Sequence, residues 1–268
     1  MEEKKKNLTK IILQLQGGLG NQLFQISFAK NLSKIINFKS KIKIDKSAFL
    51  FDTKYKRSFK FSKFNFENAN FFEIIFLYLN RFIFKFFKKK FIRFGRTVFI
   101  NDSKNLKYEK IFFKNNYKKN DKIYIVGFFQ SEKYIQNIKF LKKYLKKIHN
   151  SSNVKKIQKK LNKSSVLIGY RFFEENIKEQ IKFGGVEPFS FYNKNIKKFK
   201  KKLKNPKFFI MSTRQINNDK ISTKNFYLIK QNNITDDEKI LIISFFKNFI
   251  ISNSTFFFWG YFFSKIRY

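Results

Sequence analysis

Nine residues near the N-terminus, Gln16-Gly17-Gly18-Leu19-Gly20-Asn21-Gln22-Leu23-Phe24, hold three of the chain's nine glycines. They follow an apolar run, Lys10 to Gln16, that reads as a buried strand, and they lead into a helix to about Ile36 with Asn21 as its cap. A glycine turn at such a junction lets backbone approach a ligand closely, and a helix N-terminus offers N–H groups to an anion. The loop is not a generic phosphate loop: it lacks a Gly-Lys-Ser/Thr ending, and Leu23 stands where a dinucleotide fingerprint has its third glycine. Arg171 follows a second apolar run, Val166 to Tyr170. A guanidinium there could grip a diphosphate bidentately and stabilise charge on a leaving group; it could equally be one more surface cation. Ser252-Asn253-Ser254-Thr255 ends a strand-like run and opens a helix, which suits a phosphate or ribose contact or a plain capping turn. Glu132, after Gln130 and Ser131, is a carboxylate able to deprotonate a hydroxyl, or the ordinary acidic start of a helix.

The elements that must position these residues alternate. Lys41 to Asp45 and Lys122 to Phe129 read as strands, the latter feeding a helix from about Ser131 to Lys147. Past the polar cluster His149 to Ser165, strands are expected at Val166 to Tyr170, Lys207 to Ser212, Phe226 to Ile229 and Phe249 to Ser252. Helices are expected at Asp236 to Lys247 and Thr255 to Ser264. The fold class is α/β, with two Rossmann-like domains: residues 1–148, a linker at 149–165, and 166–268. In such sheets ligands bind at the carboxyl ends of strands, where the motifs above lie.

Composition limits the alternatives. With 43% hydrophobic and 20% aromatic residues the chain can bury a core and is no disordered basic tail. It has no cysteine and one histidine, His149, which excludes disulfides, thiolate chemistry and His-rich metal sites. No carboxylate cluster suggests a divalent metal, so no cofactor is expected. The 59 Lys and Arg against 18 Asp and Glu give a net charge of +41, which attracts nucleic acid, anionic lipid and phosphorylated ligands alike. The first apolar run is too short for a secretory signal, and the chain reads as cytoplasmic. The long apolar stretch Phe71 to Phe87 is broken by Glu73, Asn80, Arg81 and Lys85. It reads as a buried helix with a polar stripe, or as an interfacial helix, since Lys88, Lys89, Lys90 and Arg93 follow it; the second reading implies peripheral contact with the inner face of a membrane.

The segment GGLGNQLF resembles the N-terminal signature of the α-1,2-fucosyltransferases (glycosyltransferase family 11). Further segments are similar in family order: Tyr55 to Phe66 (YKRSFKFSKFNF), Gly127 to Tyr134 (GFFQSEKY) and Ser252 to Gly260 (SNSTFFFWG). The resemblance covers nearly the whole chain. It implies two Rossmann-like domains facing across a cleft, the GT-B arrangement, and inverting, metal-independent transfer of fucose from GDP-fucose to a glycan hydroxyl, the 2-OH of galactose. The acceptor implied is a surface glycan under assembly, lipid-linked forms included. Carried over residue by residue, Gly17, Gly18, Gly20, Asn21, Gln22, Arg171, Glu174, Asn253, Ser254 and Thr255 bind the donor and Arg171 is catalytic; Glu132, by its place at the strand end, is the candidate general base.

The departures are specific. The family's His-x-Arg-Arg-Gly-Asp-Tyr becomes Gly169-Tyr170-Arg171-Phe172-Phe173-Glu174, which keeps one arginine and replaces the aspartate with Glu174. Its Phe-Ser-Asp-Asp becomes Met211-Ser212-Thr213-Arg214, without the acidic pair, and Phe258 replaces one tryptophan. The family usually continues past the position of Tyr268, so the second domain is expected to be incomplete. Two other classes therefore stay open: a family member that keeps the fold without turnover, and a basic nucleic-acid-binding protein. Against the latter, lysine is spread along the whole chain and no basic helix or aromatic RNA-binding signature stands out, so no specific nucleic-acid partner is expected. Duplex DNA binding followed by anisotropy should collapse as salt rises, whereas GDP binding should weaken far less.

Overall fold

Arrangement begins with strands whose two faces are both covered, and so read as near-continuous apolar runs. The computed structural model describes residues 8–36, 39–62, 64–87, 91–102, 117–136, 138–148, 151–171, 187–212, 225–230 and 233–266. The chain divides into two units, Met1–Lys139 and Phe140–Tyr268.

The first unit runs β1 (Thr9–Gln14), α1 (Leu19–Ile35), β2 (Ser40–Asp45), β3 (Glu67–Asn68), α2 (Phe71–Phe87), β4 (Phe91–Phe94), β5 (Thr97–Asn101) and β6 (Lys122–Val126). Its sheet order is β3-β2-β1-β6-β5-β4, with only the β4–β5 pair antiparallel. One cross-strand row on this sheet is Lys43, Ile12, Tyr124, Phe99 and Ile92, in register. The row packs under α2, where Leu77 joins Ile12, Phe99 and Tyr124 in one buried cluster. Lys43 is the charged member of that row, and Glu73 of α2 meets its Nζ with both carboxylate oxygens, at 3.1 and 2.9 Å. Burial alone would lower the Lys43 pKa, but the hydrogen bonds and charges of Glu73 and Glu67 outweigh it and hold the ammonium above its ordinary value. Asn70 and Glu73 also bond reciprocally, Asn70 N–H to Glu73 Oε2 at 2.9 Å and Glu73 N–H to Asn70 Oδ1 at 2.8 Å, which closes the N-terminus of α2.

α3 (Ile138–Lys147) crosses the division between the units. The second unit continues with α4 (Ser152–Lys160), β7 (Ser165–Tyr170), α5 (Phe189–Lys202), β8 (Lys207–Ser212), β9 (Phe226–Leu228), α6 (Asp236–Ile243), β10 (Asn248–Ile251) and α7 (Thr255–Ile266). Its sheet is wholly parallel, in the order β10-β7-β8-β9. Thr235 and Glu238 form a capping box at the start of α6. Close packing of α7 on α6 needs Gly260, since a Cβ there would lie 2.2 Å from Ile243 Cγ2.

Both units are thus α/β layers with parallel sheets, the expected class. Several local expectations are corrected. α1 opens at Leu19 with Gly18 as N-cap, because Gln22 N–H already bonds Gly18 C=O at 3.1 Å, and Asn21 lies within the first turn. The helix expected from Ser131 is a 3₁₀ turn, Glu132–Tyr134, and regular helix resumes only at Ile138, since Tyr134 is drawn into the core under Phe28. α4 occupies the stretch read as linker; Ser151 Oγ caps it and Val154 is fully buried. α2 is not buried all round, with Glu73 and Leu77 turned inward while Phe71, Phe72 and Leu79 are exposed.

Among the described residues five tyrosines carry phenols whose pKa is raised by burial: Tyr124 and Tyr192 are pushed up to about 12, and Tyr117, Tyr144 and Tyr170 are raised as well. An unfolded phenol ionises near pH 10, so their contribution to stability is complete below that value and drains away as pH rises through the folded-state range; the raised Lys43 acts in the same direction. Urea midpoints should therefore hold steady to about pH 10 and fall steeply above it, with a shallower fall in Tyr124→Phe.

Candidate functional site

Open α/β sheets bind ligands where the strand order reverses, outside the carboxyl ends of the strands. In the first unit the chain leaves β1 toward β2 on one side and returns to β6 on the other, so the reversal lies between β1 and β6. The segments leaving these two strands are GGLGNQLF and GFFQSEKY.

Gly17 has φ +79°, and a Cβ there would fall 2.5 Å from Asn21 Nδ2 and 3.2 Å from the Phe128 ring, so only glycine fits. Gly18 is extended and nothing stands within 4 Å of where its Cβ would be, which leaves this face of the turn open. As N-cap of α1 it brings no side-chain oxygen to the helix end. Gln25 holds Gln16 in both directions, accepting its N–H at 3.1 Å and donating to its C=O at 3.2 Å. Gln22 is wholly buried. Its amide donates to Gly17 C=O and Ser58 C=O, both at 2.9 Å, and accepts from Lys60 N–H at 3.0 Å. Gln22 therefore braces the glycine turn against the Tyr55 to Phe66 segment instead of pointing into solvent.

Across the reversal, Gln130 Nε2 donates to Asn21 Oδ1 at 2.9 Å, joining two motifs 109 residues apart. Phe129, at φ +51°, turns inward and stacks on Phe28 with centroids 3.9 Å apart, whereas Phe128 stays partly exposed beside Gly17. This alternation is enforced by Asp102, just beyond β5. Its Oδ2 accepts from Phe128 N–H at 3.1 Å and Phe129 N–H at 2.6 Å. Gly127 has φ +136°, and a Cβ there would lie 2.1 Å from Asp102 Cβ. Sequence reading missed Asp102; the available signal was an acid at the end of an alternating strand. Glu132 opens the exposed 3₁₀ turn two residues past Gln130. Gly20 is buried in the first turn of α1.

In the second unit the order reverses between β7 and β10. Arg171 leaves β7 there, and its Nη1 donates to Asn253 C=O, just past β10, at 3.0 Å. Asn253 is exposed and Ser254 buried, and α7 begins at Thr255, with Ser254 C=O accepting from Phe258 N–H at 2.8 Å. Arg171, Asn253, Ser254 and Thr255 are thus brought together. Gly169 lets the strand pass α7, since a Cβ would meet the Phe257 ring at 2.8 Å. Tyr192 from α5 packs against Tyr170, centroids 4.8 Å apart, beneath this edge. Glu174, Thr213, Arg214 and His149 lie outside the described residues. Among the described residues no group of three or more His, Cys, Asp or Glu could hold a metal ion.

No protein-family model matches the chain, and no curated protein does. Two crystal structures of fucosyltransferase NodZ from Bradyrhizobium are similar to it. One is 11% identical, covering 94% of this chain and 92% of that one with a TM-score of 0.46. The other, a selenomethionine form, is 13% identical, covering 94% and 91% with a TM-score of 0.44.

Replacing Asp102 with Ala removes both acceptors of the Phe128 and Phe129 N–H groups. It should lower the unfolding free energy by about 1–3 kcal/mol in urea titrations, with Asp102→Asn intermediate.

Proposed function

We propose that the chain is a glycosyltransferase that moves fucose from GDP-fucose to a glycan hydroxyl with inversion. The observation that supports this reading is positional. The segments that resemble the α-1,2-fucosyltransferases fall pairwise at the two strand-order reversals: GGLGNQLF with GFFQSEKY, and Gly169-Tyr170-Arg171 with SNST. Unrelated motif matches would scatter over the fold.

In this reading Arg171 grips the donor diphosphate, beside Asn253, Ser254, Thr255 and the N-terminus of α7, with Glu174 following in sequence. The acceptor hydroxyl oxygen attacks the sugar's anomeric carbon, the bond to the phosphate oxygen breaks, and GDP leaves with the bonding pair. Arg171 stabilises the charge that develops on that oxygen, as a metal would elsewhere. Glu132, on its exposed turn, takes the hydroxyl proton. At the first reversal Gly18 and Asn21 present the open face of the glycine turn, and Gln22 keeps that turn in place. The acceptor is the 2-OH of a galactose in a surface glycan, lipid-linked forms included. A second reading, donor binding without turnover, is favoured by Phe172 standing where the family has its second arginine.

Calorimetry with GDP and GDP-fucose, wild type beside Arg171→Ala and Lys201→Ala, tests the donor site. Arg171→Ala should weaken GDP by about 30- to 100-fold, with Lys201→Ala unchanged. A folded wild type that binds neither nucleotide would overturn the assignment. Binding without product release from any galactoside would select the second reading.

A further inference from the structure

α2 is turned inside out relative to an ordinary surface helix. Its carboxylate Glu73 is buried on Lys43, while Phe71 is 70% exposed, Phe72 80%, Leu79 64% and Ile75 39%. These positions lie one, three and four residues apart and form one helix face. Leu50 and Phe51, 80% and 72% exposed, lie beside it; the Phe51 ring meets that of Tyr78 in α2 with centroids 6.1 Å apart. A contiguous apolar patch of this kind on a folded protein marks a surface that meets something.

The charges around the patch define its occupant. Between positions 45 and 79 the acids are Asp45, Asp52, Glu67 and Glu73, and each is engaged. Asp45 is buried and accepts from Gln14 and Ser47. Asp52 accepts from Tyr55 N–H and lies 3.9 Å from Arg57. Glu67 pairs with Lys41 and Lys43, and Glu73 with Lys43. The cations Lys54 and Lys56, in the turn that follows Phe51, remain exposed. A second copy of this chain would bring another +41 charges to the contact, which disfavours self-association through this face.

We propose that the outer face of α2, with Leu50 and Phe51, docks on an anionic lipid bilayer, the rings entering the headgroup boundary and the lysines meeting lipid phosphates. Among the described residues no helix is long and apolar enough to cross a membrane, so the contact is interfacial. The proposal does not rest on the reading of the activity.

The chain has no native cysteine, so a single Phe72→Cys can carry an environment-sensitive fluorophore, with Lys201→Cys as reference. Vesicles of phosphatidylcholine with about 30% phosphatidylglycerol, at moderate salt, should blue-shift the label at position 72 and leave the one at 201 unchanged. Phe72→Glu combined with Leu79→Glu should weaken flotation with these vesicles about tenfold or more, with circular dichroism and thermal midpoint unaltered. Flotation without a spectral shift at position 72 would mean charge alone holds the protein, and would overturn the proposal. Equal affinity of the folded double variant would overturn it too, as would a lipid-free shift that grows with protein concentration, the sign of a second copy. Should the double variant fail to fold, the label at position 72 still decides.

Discussion

A buried lysine at the end of an apolar cross-strand row, between Ile12 and Glu67, has to be answered, and the answer organises much of the first unit. Lys43 sits level with Ile12, Tyr124 and Phe99 under α2. A buried ammonium without a partner would cost several kcal/mol; Glu67 of β3 lies 3.4 Å away, and the helix above delivers the closer carboxylate. That carboxylate is Glu73, and because it also bonds Asn70 it fixes the rotation of α2 and the point where that helix starts. With Glu73 turned down, residues on the opposite side must turn up, and in this sequence those are phenylalanines and leucine. The apolar outer face thus follows from an electrostatic requirement of the inner one.

The two strand-order reversals are built from different materials. At the first, backbone does the work: glycine at Gly17 and Gly127, a carboxylate that clamps two successive N–H groups, and an amide bridge from Gln130 to Asn21. At the second a side chain does it, Arg171 reaching from one strand end to a carbonyl beyond the neighbouring one. Neither depends on the general surplus of positive charge. Among the described residues, lysines of that surplus line helix exteriors such as the last turn of α5.

β1, β2 and β6 of the first sheet and all four strands of the second were legible, most of them because parallel strands buried on both faces leave uninterrupted apolar runs, as in Ile11 to Leu13 and Val166 to Ile168. The reversal points were legible through glycine spacing and through the lone arginine after a strand. α5 was not: three lysines end it, and its apolar side, with Phe191, Tyr192, Ile196 and Phe199, is diluted in sequence by the polar one. α4 was hidden the same way, since Val154 alone among its residues is fully buried. The β4–β5 hairpin was obscured by lying next to α2, where phenylalanine serves helix and strand equally. Asp102 went unnoticed because what makes it matter is a tertiary bond, to backbone 26 and 27 residues away.

The closeness of Gly127 to Asp102 carries a consequence for descent. At position 127 there is space for a hydrogen and nothing larger, and the group that fills the rest is the β-carbon of Asp102. A side chain gained at 127 would have to be matched by a retreat of the backbone at 102, and any residue but glycine at 102 brings the same β-carbon; φ +136° at 127 asks for glycine besides. Glycine at 127 is therefore expected to persist through any lineage that retains this strand end, whichever side chain stands at 102, and a larger residue there would mark a chain whose loop has been rebuilt.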